Sequence, residues 1–194
     1  MTSCKSDWTA LACYPTTLTD AVRGINVCVQ RDPSGLLAVR YVLRAEMLHV
    51  RVPPAQPAAR ADGLWKHTCF EAFIAPGPAD GGYYELNFSP SSQWAIYSFE
   101  AYRQGMSPTD VTVPPKVTVR PFDDRLELDA TIGLHDLKGL QAAHTLKLAV
   151  TAVVEDDGGT LSYWALRHAP GRPDFHHRDG FVLELPAGTM DQPK

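Results

Sequence analysis

The 194-residue sequence is short of helical periodicity, has no CxxC pair and no apolar run long enough to span a bilayer, and gathers no stripe of basic charge. Each shortage removes a class of answer. Without residues recurring at a 3.6 period, a helical bundle or coiled coil is excluded as the main architecture. The eighteen basic residues are scattered singly in a chain of net charge −4, so no surface is predicted to track phosphates, and nucleic acid is not an expected partner. Between Met1 and Pro15 the apolar patch Ala10–Ala12 is too brief for a signal-peptide core or a membrane span. A cytoplasmic location without membrane attachment is the resulting expectation. Cys4, Cys13, Cys28 and Cys69 stand at irregular intervals, which predicts reduced thiols. There is no GxSxG, GxGxxG or GxxxxGK[ST], so nucleophile-elbow and nucleotide chemistries are not expected.

What is present reads as β. Hydrophobic residues make up 44% and charged residues 21%, the balance of a compact globular domain. Runs rich in Val, Ile, Thr, Tyr and Phe alternate with clusters of Gly, Pro and Asp. Strands are predicted over Asn26–Arg31, Leu36–Arg44, Met47–Val52, Thr68–Ala75, Tyr83–Ser89, Gln93–Phe99, Val117–Phe122, Arg125–Ile132, Thr145–Glu155, Thr160–His168 and Phe181–Leu185. Hairpin chemistry sits at Asp32–Gly35, Pro76–Gly82 and Asp156–Gly159. Single helical turns are expected at Ser6–Leu11 and Leu134–Leu140. Eleven short strands imply one all-β domain over residues 1–194, an antiparallel two-sheet β-sandwich with its core at about 20–186.

The block from Gly63 to Ile74, followed by Tyr83–Pro90, is the most informative. Side chains alternate across a strand, so Cys69, Glu71 and Phe73 share one face, as do Tyr83, Glu85, Asn87 and Ser89. If Pro76–Gly82 closes an antiparallel pair, Glu71 lies beside Asn87 and Glu85 beside Phe73. Strands are depleted in Glu and Asn, and this concentration fits a site that binds hydroxyl groups against an aromatic ring. The same parity also describes the solvated outer face that antiparallel sheets commonly present.

Trp65-x5-Glu71, Tyr84-Glu85-Leu86-Asn87-Phe88-Ser89-Pro90, Trp94-Ala95-Ile96-Tyr97-Ser98-Phe99, Tyr102–Met106, Ser162–His168 and Pro173-Asp174-Phe175-His176 resemble family 9 carbohydrate-binding modules and a group of bacterial DOMON-like proteins, over about residues 20–186. The resemblance implies a jelly-roll sandwich that holds a sugar between aromatic walls. By motif position Trp65 would be one wall and Glu71 a hydroxyl acceptor; Phe175 stands nearest to where a second tryptophan is expected.

The ligand set that follows is Trp65, Glu71, Glu85 and Asn87 on one sheet face, with Arg167, His168, Asp174 and Phe175 from the rim. The expected function is non-catalytic binding of a saccharide or sugar derivative, with no cofactor. Trp94 and Trp164, inside apolar strands, are expected in the core. His168, His176 and His177, with Asp174 or Glu71, are the candidate zinc ligands, at a spacing that matches no short metal motif. The alternatives are a haem-binding domain of the DOMON kind, with Met47, Met106, His67, His168 and His176 as available axial ligands, and a glycan-processing enzyme using Glu71 and Glu85.

Overall fold

A computed structural model describes residues 8–77 and 81–187. Cys4, the first two residues of the expected Ser6–Leu11 turn and the centre of the Pro76–Gly82 turn lie outside them. Among the described residues twelve strands pair antiparallel: β1 Thr9–Cys13, β2 Val22–Arg31, β3 Leu36–Ala45, β4 Cys69–Ala75, β5 Tyr83–Phe88, β6 Trp94–Phe99, β7 Ser107–Pro108, β8 Lys116–Pro121, β9 Arg125–Gly133, β10 Thr145–Glu155, β11 Leu161–Ala165 and β12 Leu183–Pro186. They run in the order β7-β6-β5-β4-β10-β11-β1-β2-β3-β9-β8, and β12 pairs with the first half of β10.

The continuous path curls into two layers because β1 bends from one to the other. Its first residues, Thr9–Leu11, pair with β2, and Ala12 and Cys13 pair with β11. Alternation then assigns the core. Leu37, Val39, Tyr41 and Leu43 of β3 and Leu126, Leu128, Ala130 and Ile132 of β9 point inward from one layer. Phe70, Ala72 and Ile74 of β4, Leu86 and Phe88 of β5, Ile96 of β6, and Leu148, Val150, Ala152 and Val154 of β10 meet them from the other. Trp94 and Trp164 belong to this core. The Tyr41 hydroxyl crosses between layers to donate to the carbonyl of Glu71 at 2.7 Å.

The hairpins form as their residues require. Between β2 and β3, Asp32 Oδ1 accepts from the Leu36 N–H at 2.9 Å and from the Ser34 hydroxyl at 2.7 Å. Gly35 takes φ +84°, which a side chain would oppose.

Three expectations are corrected. Met47–Val52 is no strand: Met47–His49 is a 3₁₀ turn and Val50 makes an isolated bridge to Asp156. Only Glu46 separates it from β3, too little chain to reverse into a hairpin, and Leu48 is 93% exposed where alternation would bury it. Within Ser6–Leu11 the expected helical turn is absent from Thr9 onward, where the chain enters β1. Cys13 and Cys69 are free thiols, but Cys28 is disulfide-bonded, so reduced thiols do not hold throughout.

Candidate functional site

Every residue of β4 is buried, on both faces of its layer. The outer face is therefore covered rather than open to water. A second apolar cluster lies there, made of Phe73, Ala75, Tyr83, Ala95, Tyr97, Phe99, Ala149 and Phe181, with Leu64, Trp65 and Phe175 packed against it. The cover comes from the segments around Leu64–Lys66, Tyr102–Met106 and Pro173–Phe181, and it leaves a hollow of about 350 Å³. Trp65, Glu71, Phe73, Glu85, Phe99, Arg103, Met106, Val153, Tyr163, Pro173, Phe175 and His176 line it.

The β4–β5 ladder places Glu71 opposite Asn87 and Phe73 opposite Glu85, the register that parity predicts. Glu71, Glu85 and Asn87 thus stand together beneath the hollow at 2%, 4% and 0% exposure. Asn87 is not a wall residue; its amide donates to Glu85 Oε1 at 2.8 Å and fixes that carboxylate. Glu71 Oε1 is buried without a hydrogen-bond partner. Burial drives the Glu71 carboxyl well above the usual carboxylate range, and the neighbouring Glu85 charge pushes the same way. Glu85 is also raised by burial, with the Asn87 amide and the Arg103 charge pulling back.

His176 is held by a relay. The Arg103 backbone N–H donates to the Tyr83 hydroxyl at 3.2 Å, and that hydroxyl shares a hydrogen bond with His176 Nδ1, 2.9 Å away. His176 Nε2 faces Glu85 Oε2 at 3.7 Å. Burial, then the Arg103 charge, pulls the imidazole down to about 4. Phe73 and Phe99 each meet its ring at 5.0 Å. Arg103 pairs with Asp174 at 2.8 Å, and the Tyr102 hydroxyl donates to the same carboxylate. Trp65 stands edge-on to Tyr97 with ring centres 5.7 Å apart.

Of the residues singled out in the sequence, Trp65, Glu71, Glu85 and Phe175 line the hollow, with Asn87 and Asp174 supporting Glu85 and Arg103. Arg167 and His168 do not line it. Arg167 is exposed, and His168 lies behind Phe175, bonded through Nε2 to the Ala12 carbonyl at 2.8 Å. Phe99, Arg103, Val153, Tyr163 and Pro173 were not anticipated there. Phe99 was within reach of parity on β6; the others arrive from distant segments.

In chain fold, the protein is similar to solved carbohydrate-binding structures. A protein of Bacteroides uniformis ATCC 8492 to which carbohydrate binding is ascribed superposes with TM-score 0.69 and 16% identity, over 93% of this chain and 85% of that one. A family 9 carbohydrate-binding module from Caldicellulosiruptor kristjanssonii matches in its cellotriose complex with TM-score 0.56 and 12% identity, covering 95% and 84% of the two chains. Its glucose complex gives 0.57 and 11%, covering 96% and 87%. The chain has the fold of these modules. No family model and no curated protein sequence matches it.

Of the expected axial haem ligands only Met106 and His176 line the hollow, and His176 Nδ1 is engaged by the Tyr83 hydroxyl. Among the described residues no group of three or more His, Cys, Asp and Glu side chains is placed to hold a metal ion, so the zinc set of His168, His176 and His177 is not assembled.

Proposed function

We propose that this protein is a non-catalytic saccharide receptor whose ligand occupies the hollow between Trp65 and Phe175. The observation that carries the reading is a concave, aromatic-walled space with two buried carboxyls at its floor, one bearing an oxygen without a partner. A buried acceptor left unpaired costs about 1–3 kcal/mol, which a ligand hydroxyl or other donor would recover. At about 350 Å³ the space stands at the small end of ligand sites, suited to one or two sugar rings rather than a length of polymer. Trp65 and Phe175 offer faces for the apolar side of a ring, while Glu71 and Glu85, the latter held by Asn87, orient hydroxyls. The likeness to family 9 modules, one of them in complex with glucose and cellotriose, supports the same reading.

A glycan-array screen followed by calorimetry tests the proposal. The wild type is expected to bind at least one soluble saccharide without releasing product, and Glu71→Ala and Trp65→Ala to weaken it by about tenfold or more. Product release would overturn the receptor reading in favour of an enzyme. Equal binding by both variants would place the ligand elsewhere.

A further inference from the structure

The lining of the hollow carries two carboxyls and one guanidinium. Facing Glu71 are Glu85 from β5, Thr151 opposite it on β10, and the Cys69 thiol two residues back on its own strand; His176 and Arg103 arrive from the covering segments. The Arg103 charge acts on Glu85, but its ion pair, at 2.8 Å, is with Asp174, and burial keeps His176 neutral. Two carboxyls therefore look into the space without a direct ion pair to the one cation of the lining.

A hydroxyl supplies one proton to such a floor. An ammonium supplies three, and its bonds to carboxylates are roughly twice as strong as neutral ones. The walls favour the same chemistry: Trp65, Phe73, Phe99, Tyr163 and Phe175 surround the floor, and aromatic faces attract a desolvated cation. Glu71 adds the independent sign, a side chain 2% exposed, lining the hollow, with Oε1 unpaired.

From this we infer that the preferred ligand is a saccharide bearing a protonated amine, with the ammonium seated between Glu71 and Glu85. The inference rests on the saccharide reading of the hollow and names the class of sugar. A proton balance accompanies it: burial and the Glu85 charge both favour the protonated form of unliganded Glu71, so a cation seated beside it promotes loss of that proton to solvent, whereas a neutral sugar leaves it in place.

The test is calorimetry on the full chain with D-glucosamine, D-glucose and N-acetyl-D-glucosamine at pH 6, repeated in two buffers of different ionisation enthalpy. The expected result is that glucosamine binds about tenfold or more tightly than the two neutral sugars and releases up to one proton, with none released by glucose. Glu71→Gln is expected to bring the ratio of amine to neutral affinities close to one; the wild-type ratio and proton count decide the matter even if that variant folds poorly. Glucose binding as tightly as glucosamine, or no proton release with the amine, overturns this inference and leaves the saccharide reading standing. Failure of all three sugars to bind overturns both.

Discussion

Replacing Glu71 by glutamine should make the protein more stable above about pH 5, and increasingly so as pH rises. The glutamine keeps the shape of the protonated acid but cannot ionise. Glu71 is fully enclosed, its Oε1 has no partner, and Glu85 stands on the neighbouring strand, so its folded-state value is raised above its ordinary one. Between those two values the native state holds a proton that the unfolded chain has lost. Wild-type stability therefore falls as pH rises through that window, by about 1.4 kcal/mol per pH unit for one such group. The assay is urea unfolding of both proteins at half-unit steps from pH 4 to 8. The difference in unfolding free energy should be near zero at the acid end, climb at about that slope, and level off where Glu71 ionises in the folded state. A difference that stays flat across the range would refute the reasoning, because it would mean that Glu71 titrates as it does in the unfolded chain.

Histidine 176 should act in the opposite direction. Its folded-state value of about 4 lies below the ordinary 6.5, so its contribution is present above pH 6.5 and is lost on acidification towards 4, by about 3 kcal/mol. The advantage of wild type over His176→Gln in urea unfolding should shrink by that amount over the window; a constant gap would contradict the burial argument. Tyr41→Phe removes one buried hydrogen bond to the Glu71 carbonyl and should cost about 1–1.5 kcal/mol in the same assay, with no effect if that bond contributes nothing. Phe70→Ala, at the centre of the core against Tyr41, should cost about 3–5 kcal/mol, and a loss below 1 kcal/mol would mean that the two layers are not packed as described.

Local patterning reached the floor of the site but not its roof. The pairing of Glu71 with Asn87 followed from side-chain alternation along two strands joined by the seven residues 76–82. Whether that polar face was bathed or covered could not follow from the same alternation. The covering residues Arg103, Pro173 and His176 lie in irregular segments whose paths are set by tertiary contacts such as the Arg103–Asp174 pair and the Tyr83–His176 bond. The alternating Met47–Val52 stretch is the converse case, a β-like pattern placed so close behind β3 that it cannot fold back on that strand as a hairpin and makes only the single Val50–Asp156 bridge. The bend in β1 that joins the layers was equally hidden, because five residues that change partners midway leave no periodicity to detect.

Whether a sugar sits on the Trp65 indole is read from tryptophan indole N–H resonances followed while glucose or glucosamine is added to isotope-labelled protein. Trp65 lines the hollow, whereas Trp94 and Trp164 are enclosed in the core between the layers. The expected result is a saturable shift of the Trp65 resonance with those of Trp94 and Trp164 unmoved, and the shift abolished in Glu71→Ala. A sugar that binds while Trp65 stays fixed would contradict it.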